Sequence, residues 1–137
     1  MNKIFGIGTD IVDISRIKKI FNQNKKFKNK IFSKKEIKYC ESKSNKIASY
    51  SKRFAAKEAF AKALGIGLSK GISFSEISVN NNKNGAPFIE LLGKTKIITK
   101  KMINKNNKIY LSLSDEKKYA LAMVVISTKW KNLFFTQ

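Results

Sequence analysis

Histidine is absent from the sequence, and cysteine and proline occur once each. Without an imidazole there is no His metal ligand and no Ser–His pair for nucleophilic catalysis. A lone cysteine, Cys40, excludes an internal disulfide, and it is too few for a zinc or iron–sulfur site built on several thiolates. Any bound metal must therefore be held by oxygen, which is typical of magnesium or manganese.

Long apolar runs are also missing. The longest, Ala120–Ile126, is far shorter than a membrane span and is typical of a buried strand. The N-terminus does not have the charged-then-apolar pattern of an export signal. Together with the single cysteine, these features predict a cytoplasmic protein that does not act on a membrane.

Acidic residues are few, with 9 Asp and Glu against 29 Lys and Arg, so the formal net charge is +20. Lysine is spread along the whole chain beside many asparagines, which favours a coding bias over a designed basic patch. A surface this basic still attracts phosphates and acidic proteins. It also raises an alternative function, a small nucleic-acid-binding protein. Against that reading, Phe54 and Phe60 lie at core spacing rather than in an exposed stacking pattern, and we expect no nucleic acid partner.

The length of 137 residues and the hydrophobic content of 42% predict one globular domain. We expect residues 1–127 to form it and 128–137 to be a tail of unknown role. The predicted class is α+β, with helices packed on a small, mainly antiparallel sheet. In the first half of the chain, the local patterns predict a strand at 3–11, a helix begun by Asp13 or Ser15, a helix opened by a capping box at Ser33 and Glu36, and a long central helix. In the second half they predict a hairpin from Ile72–Val79 and Pro87–Leu92 and a helix within 93–107. The closing strands are predicted at Ile109–Leu113 and Tyr119–Ile126.

The central segment, Ser51–Gly67, consists mostly of good helix formers and ends in the glycines Gly65 and Gly67. It is apolar nearly all round, so the helix should be largely buried. Glu58 lies within it, and a buried carboxylate needs a partner. Either Lys62, four residues later, or a bound cation could fill that role, and the helix alone does not decide between them.

Two further acidic residues fall at element ends. Asp10 comes near the end of the first predicted strand, where a turn or cap role is the alternative, and Asp115 lies in a late β-turn. Gly6 and Gly8 precede Asp10 but do not form a dinucleotide-binding fingerprint, because the third glycine is missing.

Two stretches of the chain resemble the paired signatures of the short 4′-phosphopantetheinyl transferases. They are GIGTDIVDISRI at 6–17 and RFAAKEAFAKALGIG at 53–67. NGAPFIEL at 84–91 and YLSLSDEKKYALAMVVI at 110–126 are similar to the family's hairpin and closing strands. The resemblance implies transfer of phosphopantetheine from coenzyme A to a serine of apo acyl carrier protein, with adenosine 3′,5′-bisphosphate as the other product. It implies a role in fatty acid biosynthesis and dependence on Mg²⁺.

By this resemblance Asp10 and Glu58 are the magnesium ligands, and two carboxylates suit a hard cation that keeps several waters. Lys62 would lie near the pyrophosphate, where we expect it to neutralise the leaving group or help to protonate it; a simple Glu58–Lys62 helix pair is the alternative. Coenzyme A is expected to contact Arg53, Lys62, Gly65, Gly67 and Pro87.

Asp115 falls where many family members carry histidine, so the base that takes the serine proton stays open between a metal-bound water, Glu58 and Asp115. Arg16 matches the family's arginine for docking the acidic carrier, with Lys18 and Lys19 as supporting charges. The resemblance also implies a homotrimer with active sites between subunits.

Overall fold

The computed structural model describes residues 1–65 and 71–129 of the chain. Gly67 and residues 130–137 of the predicted tail lie outside these ranges. No helix within them is long and apolar enough to cross a membrane. The helices and strands are β1 (Asn2–Asp13), α1 (Ile14–Gln23), α2 (Phe27–Ile31), α3 (Lys34–Glu41), α4 (Lys46–Leu64), β2 (Ile77–Asn81), β3 (Pro87–Leu91), α5 (Gly93–Ile103), β4 (Asn107–Asp115) and β5 (Tyr119–Lys129).

The strands form two antiparallel sheets, one of three strands in the order β1-β5-β4 and one of the pair β2-β3. Alternate residues of β5 are buried, which gives the larger sheet an inner face toward the core and an outer face toward solvent. Asp10 on β1 pairs with Ala122, which also pairs with Leu113 on β4. Because paired residues share a face, Asp10 lies on the inner face.

Helix α4 crosses that inner face in direct backbone contact with β1. A Cβ added to Gly8 would lie 1.8 Å from the carbonyl oxygen of Ala59, and one added to Gly6 would lie 1.9 Å from that of Ala63. The two glycines are therefore needed for close approach of the helix and the strand. This contact brings the Glu58–Lys62 turn of α4 next to Asp10.

The ends of several helices are stabilised by capping residues that are close to them in the sequence. Asp13 is the N-cap of α1, and its carboxylate accepts hydrogen bonds from the backbone N–H and the hydroxyl of Ser15. The capping box predicted at Ser33 and Glu36 is present at the start of α3. Gly65 ends α4 in the left-handed conformation, with φ of 75°.

The α+β class and the antiparallel pairing are confirmed, with three differences in detail. The first strand extends to Asp13, so Asp10 lies within it. The strands divide into two sheets instead of one. The predicted strand at 72–79 begins only at Ile77, because Phe74–Glu76 form a 3-10 turn in which the Glu76 carboxylate accepts bonds from the first backbone N–H groups of α5.

Candidate active site

Asp10 and Lys62 meet where α4 crosses β1. Lys62 Nζ donates hydrogen bonds to Asp10 Oδ1 at 3.1 Å and to the carbonyl oxygen of Thr9 at 2.9 Å. The Asp10 side chain is 16% exposed and that of Lys62 is 57% exposed. Among the residues that the structure describes, no ion pair joins Lys62 to Glu58. The ammonium group thus compensates the strand carboxylate, and the i,i+4 helix pair considered as an alternative does not form.

Glu58 lies one turn before Lys62 and is partly buried. Burial raises the pKa of its carboxyl above the usual value, and the negative charge of Asp10 raises it further. Lys62 and Arg16 act in the opposite direction. Asp10, Lys62 and Arg16 are therefore close enough to Glu58 to act on it, although they come from β1, α4 and α1.

Asp10 and Glu58 fit a divalent cation of the magnesium type. Their ligand atoms are carboxylate oxygens, which such a cation prefers, and their mutual repulsion is what a positive ion between them would relieve. No group of three or more Asp, Glu, Cys or His side chains able to hold a metal occurs in residues 1–65 and 71–129. A cation here would complete its coordination with water and substrate oxygens.

A mainly apolar cavity of about 400 Å³ opens beside Glu58. Its walls include Phe54 of the same helix and Ile72 and Phe74 from the segment before β2. The Phe54 and Phe74 rings pack edge-to-face with centroids 6.0 Å apart. The carboxylate thus stands between the polar group around Asp10 and an apolar cleft, which suits a substrate with both a charged and an apolar part.

Asp115 lies away from this site within one chain. It is the last residue of β4, and its carboxylate forms an ion pair with Lys52 Nζ at 3.1 Å. Lys52 precedes Glu58 by six residues, or about 9 Å along the helix axis. The structure therefore brings Asp10, Glu58 and Lys62 together but leaves Asp115 beside an earlier part of α4.

Arg53 is placed beneath the surface, with 2% of the residue exposed. Its guanidinium donates to Asn81 Oδ1 at 2.7 Å and to Ser49 Oγ at 3.3 Å, and lies 4.1 Å from the centre of the Tyr39 ring. Asn81 and Tyr39 line a cavity of about 570 Å³ that is separate from the one beside Glu58. Pro87 pairs with Asn81 in the hairpin and so borders the same region. Contact of Arg53 and Pro87 with coenzyme A stays a prediction.

A sequence profile of the 4′-phosphopantetheinyl transferase superfamily matches residues 6–124. The chain belongs to this superfamily. The prediction of a phosphopantetheinyl transferase, made from the two signature stretches, is thereby confirmed.

Several relatives in this superfamily are holo-[acyl-carrier-protein] synthases. The one from Wolbachia pipientis is 48% identical over 127 residues, covering 90% of this chain and 97% of the relative. The one from Pelagibacter ubique is 44% identical over 128 residues, covering 93% and 99%.

Solved structures of such synthases share the fold. That from Plasmodium yoelii is 35% identical with a TM-score of 0.81, covering 95% of this chain and 99% of that one. That from Bacillus anthracis, in complex with coenzyme A (3′,5′-ADP), is 31% identical with a TM-score of 0.75, covering 92% and 98%.

Helix α1 presents the basic residues predicted to dock the carrier in this transferase. Arg16, Lys18 and Lys19 are all exposed on it. Arg16 is also near enough to lower the pKa of Glu58 against the effect of burial. Of these three residues, Arg16 therefore borders the candidate site.

Sequence reasoning missed the most deeply buried charges of the transferase. Glu36 and Lys57 are both 0% exposed, and Lys57 Nζ lies 2.6 Å from Glu36 Oε1. Burial holds the pKa of Lys57 below its ordinary value, while Glu36 opposes this. A signal was present, because Lys57 is three residues from both Phe54 and Phe60 and so lies on an apolar side of α4.

Proposed function

We propose that the protein transfers 4′-phosphopantetheine from coenzyme A to a serine of apo acyl carrier protein. The serine oxygen bonds to the phosphorus that carries the pantetheine arm, and the P–O bond to the other phosphate of the pyrophosphate breaks. The electron pair leaves with adenosine 3′,5′-bisphosphate. The observation that carries this proposal is the convergence of Asp10, Glu58 and Lys62 in a chain of this superfamily.

Asp10 and Glu58 would together hold Mg²⁺. Their placement on opposite elements, β1 and α4, keeps the two carboxylates in position. An ion held there would supply Lewis-acid polarisation of the pyrophosphate and positive charge near the leaving phosphate. Lys62 adds a second positive charge at the same place. Its side chain is more than half exposed, so it can leave Asp10 and reach a phosphate oxygen, where it neutralises or helps to protonate the leaving group.

The serine proton needs an acceptor. Within one subunit the geometry favours Glu58 over Asp115, because Asp115 is ion-paired with Lys52 at an earlier part of α4. A metal-bound water remains the other candidate, and Glu58 would then act by holding the ion.

The carrier would approach over α1. Arg16, Lys18 and Lys19 are exposed on α1, Arg16 is close enough to Glu58 to act on its pKa, and the family's carrier is acidic. Complementary charge of this kind mainly raises the association rate. The serine of the docked carrier would then lie close to the coenzyme A pyrophosphate.

We further propose a homotrimer, as the family resemblance implies. The outer face of the larger sheet supports association, because it exposes large apolar side chains: Ile7 at 55%, Ile11 at 62%, Tyr110 at 54%, Leu121 at 42% and Met123 at 42%. Such a continuous apolar face is unusual on a free monomer. Action in the cytoplasm, in fatty acid biosynthesis, completes the proposal.

Transfer is tested by mixing the protein with apo acyl carrier protein, coenzyme A and Mg²⁺ and weighing the carrier by mass spectrometry. We expect the carrier to gain the mass of one phosphopantetheine group, and a chelator to stop the gain. An unchanged carrier mass would refute the proposal. Tight, salt-sensitive DNA binding without transfer would support a nucleic-acid-binding function instead.

A further inference from the structure

The buried pair Glu36–Lys57 joins three parts of the fold. Glu36, in the first turn of α3, accepts from Lys57 Nζ and from the backbone N–H of Ser33 and of Val79. Lys57 Nζ also donates to the carbonyl oxygens of Phe74 at 2.8 Å and Ile77 at 2.5 Å. Every donor position of the ammonium group is used, and both carboxylate oxygens are bonded. The pair thus ties α3, α4 and the segment 74–79 together.

One of these bonds fixes a wall of the cavity beside Glu58. Phe74, whose carbonyl accepts from Lys57, lines that cavity opposite α4. Glu58 follows Lys57 directly on the helix. Only the Lys57 side chain and the adjoining backbone connect the Glu58 turn of α4 to the Phe74 carbonyl. This hydrogen bond therefore sets the distance between the Glu58 carboxylate and the opposite wall of the cavity.

Apolar packing alone would not fix this separation. The Phe54–Phe74 edge-to-face contact orients the two rings, but it does not fix the backbone of the wall as the hydrogen bond to the Phe74 carbonyl does. A buried ion pair gives no clear gain in stability over apolar residues of similar volume. Its directional hydrogen bonds do select one arrangement of the groups that it joins. A positional role accounts for a fully buried lysine where an apolar residue would also fit.

We infer that Glu36 and Lys57 are positioning residues, which set the width of the cavity between Glu58 and Phe74 and thereby align coenzyme A for transfer. The inference rests on the proposed function, since it takes the cavity beside Glu58 as part of the coenzyme A site. Neither residue is exposed, and neither touches substrate. They act through the Phe74 carbonyl and through the turn of α4 that carries Glu58.

The test is a neutral double variant, Glu36→Gln with Lys57→Met, which removes both charges and leaves no uncompensated ion. We expect it to fold and to melt within about 5 °C of the wild-type protein. We expect kcat/KM for coenzyme A to fall about tenfold or more, because small misplacements of reacting groups are costly. The KM for the carrier should stay within about twofold, since the pair does not contact α1. An unchanged kcat/KM for coenzyme A would overturn the inference.

A matched control separates position from stability. Ile103→Ala opens a cavity in the buried core at the end of α5, where the Ile103 carbonyl accepts a hydrogen bond from Thr128 Oγ1. At a temperature where both variants are folded, the control should keep wild-type kinetics. Equal losses of kcat/KM in the two variants would overturn the inference. If the double variant does not fold, Glu36→Asp replaces it, because this change keeps both charges and shortens the bonded side chain by one methylene. We then expect a loss of about threefold in kcat/KM for coenzyme A, and no loss would contradict the inference.

Glu58→Gln distinguishes failure of this inference from failure of the proposed function. If Glu58→Gln is inactive and the double variant is fully active, the site stands and only the positioning role is wrong. If Glu58→Gln is fully active, the cavity beside Glu58 is not the reaction site, and the positioning role is wrong with it. A wild-type protein that leaves the carrier mass unchanged would refute the proposed function itself.

Discussion

Lys62 Nζ donates a hydrogen bond to Asp10 across 3.1 Å, although Glu58 is its neighbour one turn back on the same helix. The bond joins residues that are 52 positions apart in the sequence. It is possible because Gly6 and Gly8 let the backbone of α4 rest on β1. The placement of this charged cluster therefore depends on two residues without side chains.

Replacing Lys62 with methionine should reduce transfer with little effect on stability. The side chain is 57% exposed, so we expect the free energy of unfolding to change by no more than about 0.5 kcal/mol. Loss of a charge beside the pyrophosphate should lower kcat/KM by at least about tenfold. Steady-state kinetics and thermal melts measure the two effects. Lys96→Met, at an exposed lysine on α5, is the control, and equal kinetics for the two variants would contradict the role of Lys62.

Glu58→Gln should make the protein more stable at neutral pH while it abolishes transfer. Because the folded-state pKa of Glu58 is raised above 4.5, its contribution to stability is present below that pH and is lost as the pH rises through the folded-state pKa. The glutamine variant does not suffer this loss. Melting temperatures of both proteins between pH 4 and 7.5 should therefore diverge as the pH increases.

Asp13→Asn provides a comparison of opposite sign. The hydrogen bond from Ser15 lowers the pKa of Asp13 below 3.8, so its stabilisation is present above that pH and is lost as the pH falls through the folded-state value. Asparagine keeps the N-cap. We expect Asp13→Asn to be less stable than the wild-type protein at neutral pH and to approach wild-type stability in acid. If both variants shifted in the same direction at pH 7, this electrostatic account of Glu58 would be wrong.

Gly8→Ala and Gly65→Ala should differ although they introduce the same methyl group. At Gly65 the cost is the left-handed backbone conformation, about 1 kcal/mol, because no atom of residues 1–65 and 71–129 lies within 4 Å of the new Cβ. At Gly8 the Cβ would overlap the Ala59 carbonyl oxygen, so the helix must move, and we expect a loss of about 3 kcal/mol or more. Denaturant unfolding measures both values. Equal losses would show that α4 does not rest on β1.

The outer face of the larger sheet should hold the proposed trimer together. Ile11→Lys places a charge on that face and should lower the molecular mass measured by light scattering, while the helical circular dichroism signal is kept. Ile97→Lys is a matched control on α5, since Ile97 is 57% exposed and Ile11 is 62% exposed. A wild-type mass for both variants, or a monomeric wild-type protein, would contradict this interface.

Local signals in the sequence predicted local structure well. The capping box at Ser33 and Glu36 and the glycine stop at Gly65 depend on neighbouring residues, and each is found in the structure. Asp10 and Glu58 were singled out by their local positions, and the resemblance of the signature stretches to a known family then assigned them as magnesium ligands. The family is confirmed, whereas the magnesium site stays a prediction.

Contacts between residues that are far apart in the sequence could not be predicted from local signals. No sequence feature near Lys57 indicates that its partner is Glu36, which is 21 residues away. The alternating apolar pattern at 72–76 led to the wrong prediction of a strand there. Glu76 instead caps α5, a helix that begins only after the hairpin. Gly6 and Gly8 were set aside as an incomplete nucleotide motif, and their role became visible only once α4 was seen against β1.

The central claim is that Asp10 and Glu58 form one metal site, and direct titration with Mn²⁺ as a probe for Mg²⁺ tests it most directly. Binding is followed by electron paramagnetic resonance in the presence of coenzyme A, with the wild-type protein, Asp10→Asn, Glu58→Gln and the control Glu116→Gln. The account predicts one bound ion per active site in the wild-type and control proteins, and affinity at least about tenfold weaker in each of the other two variants. Wild-type affinity in Asp10→Asn or Glu58→Gln would contradict it.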